Sequence, residues 1–203
     1  MNQKITRFIE SKIDDFDALI IEDYGKGVIN IQLLEGLILL ARQHKKIITV
    51  DPKQEHFQYY CGVSAITPNR KELENAVRNL KLNDTSNRFH VNTDRLFSDK
   101  DLDAAARQVL DYLDLESVLV TLGEHGMKLF QGEDSPVHIP TVAQEVFDVS
   151  GAGDTVIATL AVMLAHGADW ERAIHVANVA AGVVVGKLGT AVVTRDELDA
   201  ALN

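Results

Sequence analysis

The chain has 203 residues, of which 46% are hydrophobic and 25% charged, and it carries a formal charge of −10 at neutral pH. That describes one globular domain with a good core, or slightly more than one, and an acidic surface without a basic stripe excludes nucleic acid and anionic membrane as partners. One cysteine, Cys61, excludes an internal disulfide and reads as a small buried residue rather than a reactive thiol.

Residues 1–16 read as a short helix with Ile5, Phe8, Ile9 and Ile13 at helical spacing, and Met1–Ile13 does not resemble a secretory signal. Ala18–Ile21 is a short apolar run closed by Tyr24-Gly25, the pattern of a buried parallel strand. Asn30 then caps a helix over Ile31–Gln43, and Ile47–Val50 is the next strand, stopped by Asp51-Pro52. Strand, helix, strand with short loops is the βαβ unit, and ligands bind in loops at the carboxyl ends of such strands. Lys26, Asp51 and Lys53 all stand there. Lys26 reads equally as a site residue or a solvated turn residue.

Ser64–Thr67 is a third strand, and Pro68 leads into a helix from Arg70 to Leu80. Asn69 and Glu72 have the spacing of a capping box at its start. Residues 81–98 are mostly polar and are expected to form a long, flexible loop or a partner contact. Ser98 and Asp101 open a helix through Leu113, followed by a strand over Ser117–Thr121 and a glycine-bearing loop, Thr121–Gly126. Met127–Gln131 and Val137–Pro140 form a hairpin across Gly132–Ser135.

The most informative stretch is Asp148-Val149-Ser150-Gly151-Ala152-Gly153-Asp154-Thr155, running into the apolar Val156–Leu164. Two glycines before a helix make a tight turn whose free N–H groups and dipole attract phosphate. A carboxylate there costs repulsion, so Asp154 reads as a base for an attacking hydroxyl; the alternative is a helix-start residue. The dinucleotide fingerprint is excluded because Val156 stands where a third glycine is needed. A Walker loop is excluded because the glycines at 182 and 186 are one residue too close and Leu188 follows Lys187. A second helix begins at Asp169 and runs through Ala181, with Asn178 on it, and Thr194 with Glu197 caps a last short helix. The longest uncharged apolar run, Val156–Ala165, falls short of the roughly 20 residues that span a bilayer, so a cytoplasmic protein is expected. The 7 histidines form no metal-ligand spacing.

The Asp148–Thr155 stretch resembles the C-terminal signature of the ribokinase-like (PfkB) sugar kinases. Asp23–Gly27, Val50–Lys53, Thr67–Glu72, Val120–Met127 and Ala180–Thr190 match in family order, and together they most resemble the kinases that phosphorylate heptose 7-phosphate at its anomeric carbon. The resemblance implies an α/β three-layer sandwich around a mostly parallel sheet. It also implies that residues 1–203 are the C-terminal, nucleotide-binding part, with the lid sheet, the first strands and the sugar-gripping segment absent.

What the resemblance implies for the site is phosphoryl transfer from Mg²⁺-ATP to a phosphorylated sugar. Asp154 is the base, and Gly151, Ala152 and Gly153 hold the charge that develops on the phosphoryl group. Asn69 and Glu72 organise Mg²⁺; Arg70, Lys71, Lys53, Thr121, Gly123, Asn178 and Lys187 meet the nucleotide; K⁺ sits near Asp148 and Ser150. Small helix residues give Asn178 and Ala181 a packing reading as well, and Lys187 suits a helix C-terminus in either case. Alternatives are a kinase for another small sugar or a nucleoside, and a nucleotide-binding module without catalysis. A bare sheet edge would favour homo-oligomers or pairing with a missing N-terminal half.

Overall fold

Alternation of side chains along the strands divides the chain into three layers. The computed structural model describes residues 1–85, 87–91, 95–142 and 146–203. Its strands are β1 (Ala18–Glu22), β2 (Ile47–Asp51), β3 (Ala65–Ile66), β4 (Ser117–Thr121), β5 (Met127–Gln131) and β6 (Val137–Ile139), neighbours in that order. Those from β1 to β4 are parallel, and β5 and β6 add antiparallel. The helices are α1 (Asn2–Ser11), α2 (Ile31–Gln43), α3 (Arg70–Asn83), α4 (Asp99–Tyr112), α5 (Ala152–Ala165), α6 (Trp170–Val185) and α7 (Arg195–Leu202).

Ile48, Val50, Val118 and Val120 point into one core with Leu33, Leu37, Leu73, Leu80, Leu102 and Val109 of α2, α3 and α4. Ala65, Leu119 and Leu129 point the other way, against Val156, Leu160, Ile174 and Ala177 of α5 and α6. This period-2 sorting is what a sheet covered on both faces requires. The ribokinase-like α/β sandwich with a mostly parallel sheet is therefore the observed architecture, and β1 lies at one edge of the sheet. Among the described residues no helix is long and apolar enough to cross a membrane.

Helix starts follow the sequence signals. Asn30 accepts from the Leu33 N–H, and reciprocal capping boxes close at Asn69/Glu72, Ser98/Asp101 and Thr194/Glu197. A 3-10 turn over Gln54–Tyr59, unannounced by periodicity, follows β2 and buries Phe57. Cys61 is exposed, contrary to expectation, on the short turn after it.

The described part of 81–98 is anchored by its few apolar residues: Phe89, Val91 and Leu96 are buried in the larger core. Both peptide groups of Leu96 are held by α3, its N–H by Glu74 and its carbonyl by Arg70. Ser86, Asn92 and Asp94 lie outside the described residues.

Gly126 ends the loop after β4 at φ +83°, and a Cβ there would stand 2.0 Å from the Ile139 carbonyl oxygen. Gly132, in the hairpin turn, has open space around it. Gly126→Ala is therefore expected to cost more than about 1 kcal/mol, and Gly132→Ala clearly less, in urea unfolding. Equal costs would remove the close approach as the reason for glycine at 126.

Candidate active site

Glu22 and Asp51 are the last residues of β1 and β2 and stand opposite each other in register. Counting back by two along β2 leads from Asp51 through Thr49 to Ile47, which packs with the α5–α6 core. Both carboxylates thus leave the sheet on the side where α5 begins. Gly151, at φ +80°, is the residue before that helix, a left-handed position that glycine adopts without strain. One turn later Asp154 joins the pair: carboxylate oxygens of Glu22, Asp51 and Asp154 all lie within 4.8 Å of one another.

Burial and mutual repulsion raise the proton affinity of Asp51 and Glu22. Asp51 is pushed up to about 7, first by burial and then by the charges of Glu22, Glu72 and Asp154. Glu22 is also raised, by burial first and Asp154 second. Its Oε2 is buried without a hydrogen-bond partner. A group of hard oxygen ligands with an unsatisfied buried atom suits a divalent cation such as Mg²⁺. Glu22 was not singled out in the sequence, where it reads as the polar end of a strand. Its signal was its place at the carboxyl end of β1, level with Asp51.

The turn before α5 offers donors beside these acceptors. The Ala152 N–H is taken by the Val149 carbonyl, and the Thr155 N–H by that of Gly151. Among the described residues, no protein acceptor engages the N–H groups of Gly153 and Asp154. The Tyr24 hydroxyl, from the loop after β1, donates to Asp154 Oδ1 at 3.2 Å. Asp148 accepts from the Ser150 N–H, which closes the turn and lowers the Asp148 pKa.

Asn69 and Glu72 are fixed by their capping box, with the Asn69 N–H on Glu72 Oε2 at 2.8 Å. Asn69 bridges to Thr121 as a neighbouring strand residue, and the Thr121 N–H bonds Pro68. Gly123 follows at φ +60° with open space above its Cα. Lys53 is exposed, its stem laid along Gly25. The strand ends therefore bring together Lys53, Asn69, Glu72, Thr121, Gly123 and the Gly151–Asp154 turn.

The remaining candidates point elsewhere. Arg70 reaches Leu96 and Asp99, and Lys71 pairs with Glu74. Asn178 is buried on α6 and donates to the Pro140 carbonyl. Lys187 donates to Glu197 and to the Val192 carbonyl, and it is the first cause of a Glu197 pKa near 2. Arg70, Asn178 and Lys187 each tie one element to another, while the Lys71 pair lies within α3.

A carboxyl raised above its unfolded value favours the protonated folded state. Its contribution is full below about pH 4 and is lost as pH rises towards 7. In chelator, the protein is expected to lose stability across that window. Asp51→Asn should flatten the loss and be the more stable protein at pH 8, and millimolar Mg²⁺ should do the same for the wild type. Denaturant unfolding at pH 5 and pH 8 measures both; an unchanged slope in the variant would place the raised group elsewhere.

Comparison with known proteins agrees with the layout. The chain is 44% identical to the bifunctional protein HldE of Paramagnetospirillum magneticum, over 99% of this chain and 38% of that protein. It is 40% identical to HldE of Haemophilus influenzae, over 96% of this chain and 37% of that one. It thus spans less than two fifths of these relatives. The fold superposes on phosphofructokinase-2 from Escherichia coli in complex with potassium (TM-score 0.79, 20% identity, 99% of this chain and 62% of that one). It also superposes on ribokinase from Thermotoga maritima (TM-score 0.72, 24% identity, 95% and 59%). The pfkB family of carbohydrate kinases matches residues 2–196, and the chain belongs to that family.

Proposed function

We propose that this chain is the nucleotide-binding portion of an ATP-dependent sugar kinase. The observation that carries the reading is the turn before α5, where free N–H groups of Gly153 and Asp154 stand beside the Asp154 carboxylate. Phosphoryl transfer needs both in one place: donors for charge on the transferred group, and a base for the attacking hydroxyl. Asp154 accepts the hydroxyl proton, and the Gly153 and Asp154 N–H groups receive the phosphoryl oxygens.

Lys53, Asn69, Thr121 and Gly123 line the same strand ends and meet the nucleotide. Glu22 and Asp51, with Glu72 nearby, would hold Mg²⁺, which when bound supplies positive charge against the nucleotide phosphates. Arg70, Asn178 and Lys187 serve by holding the elements around the site. The acceptor we favour is the anomeric hydroxyl of heptose 7-phosphate, a precursor of ADP-heptose and the lipopolysaccharide core. This rests on the likeness of the Asp23–Gly27, Val50–Lys53 and Ala180–Thr190 blocks to such kinases. The setting is the cytoplasm, and the segment that grips the sugar belongs to the part of the family's length that this chain does not span.

Calorimetric titration with ATP, with Mg²⁺ and then with chelator, tests the nucleotide reading. Binding that disappears in chelator is expected; no binding at millimolar nucleotide overturns it. In a transfer assay with the sugar-gripping part present, Asp154→Asn is expected to lower turnover by about 10²–10⁴-fold, the range of a general base. Mg²⁺-ATP affinity should stay within about twofold, the change in kcat alone marking a role in the transition state. A variant that loses ATP binding instead would make Asp154 a structural residue.

A further inference from the structure

The Asp23-Tyr24-Gly25 stretch contributes one side chain, Tyr24, to the site described above. What Asp23 does there is a separate matter. Its side chain is fully buried, and among the described residues no lysine or arginine is paired to it. It is held by three donors: the Gly25 N–H on Oδ1 at 2.9 Å, and His56 Nδ1 and the Tyr60 hydroxyl on Oδ2 at 2.6 and 2.7 Å. His56 and Tyr60 both come from the 3-10 turn after β2 and its cap. The Tyr60 hydroxyl also accepts from the Lys53 N–H at 3.0 Å.

These bonds close a ring. Asp23 bends the chain at Gly25, whose φ of +63° leaves a face where a Cβ would meet Lys53 Cγ at 3.4 Å. The Lys53 stem lies on that face, its backbone N–H is held by Tyr60, and Tyr60 returns the bond to Asp23. Burial raises the Tyr60 phenol well above its usual range, so it stays a donor to Asp23. On the ring's other side Tyr24 reaches Asp154.

We propose that Asp23, His56 and Tyr60 are positioning residues that lock the loops after β1 and β2 together, setting Tyr24 on Asp154 and the Lys53 side chain over Gly25. A buried carboxylate is costly unless every lone pair finds a donor, so removing one donor releases both loops. This deepens the proposed function and rests on it only where nucleotide binding is concerned.

The experiment is residue-resolved amide hydrogen exchange by NMR on the full chain, paired with Mg²⁺-ATP titration. The variants are Tyr60→Phe, which keeps the ring packed on Phe57, His56→Leu, and His56→Asn, which restores a donor. Tyr60→Phe and His56→Leu are expected to speed exchange at Gly25 and Lys53 at least tenfold, with His56→Asn close to wild type and the β4 amides unchanged. Mg²⁺-ATP affinity should fall several-fold in the first two variants and recover in the third. Unchanged exchange at Gly25 and Lys53, or a rise that spreads equally to β4, overturns the proposal. So does raised loop exchange with unaltered affinity in a wild type that binds. A wild type that binds no nucleotide sinks the kinase reading, while the exchange data still decide the network.

Discussion

Three carboxylates that ought to repel one another set the terms for the rest of this structure. At an effective dielectric of about 20, two charges 4.8 Å apart repel by roughly 3 kcal/mol, and Glu22, Asp51 and Asp154 make three such pairs. The α5 dipole offsets a part, since one charge at a helix N-terminus gains at most about 2 kcal/mol. The Tyr24 hydrogen bond contributes a similar amount at best. The balance has to come from a proton, which Asp51 takes up near neutrality, or from a cation. A fold that holds such a cluster rigidly is a fold prepared for positive charge.

That rigidity comes from the sheet and the loops leaving it. The β1–β2 register places Glu22 beside Asp51, and the Asp23 N–H on the Asp51 carbonyl extends that ladder one residue past the strand. Asn69 and Thr121 continue the row as a bridge between the next two strand ends. The candidate site's positions therefore stand at consecutive strand ends, fixed by the same backbone bonds that make the sheet. Their distances from one another are properties of the fold, not of individual rotamers.

How much of this the sequence discloses depends on what kind of signal each feature leaves. Strands such as Ile47–Asp51 and caps such as Ser98/Asp101 were legible because their signals are local: apolar runs, and a polar residue three before an acid. The Gly151–Asp154 turn was legible as a tight glycine turn opening an apolar helix, and the structure sets Asp154 beside Glu22 and Asp51. Glu22 left no local signal, because nothing in Ile-Ile-Glu says that Asp51 will stand opposite. The 3-10 turn over Gln54–Tyr59 was missed because a short, tight helix shows no 3.6-residue period. The direction in which a helical side chain leaves its backbone was equally hidden. Arg70 and Glu72 are two residues apart on α3, yet one reaches towards Leu96 and the other turns back to Asn69.

Those directions decide the electrostatics of the site. Arg70, Lys71 and Lys187 would have set positive charge around a nucleotide had they faced the strand ends. Instead Asp99, Glu74 and Glu197 hold them, all away from Asp154. Lys53 is laid along Gly25, and backbone dipoles at the start of α5 stand beside the carboxylates. A helix terminus alone does not balance three carboxylates and a nucleotide's phosphates together. Under the proposed function, nucleotide affinity would depend steeply on a divalent cation, and the acidic row that repels ATP alone would recruit it with metal. On that proposal, the sign of the site's own charge is what would make a metal necessary.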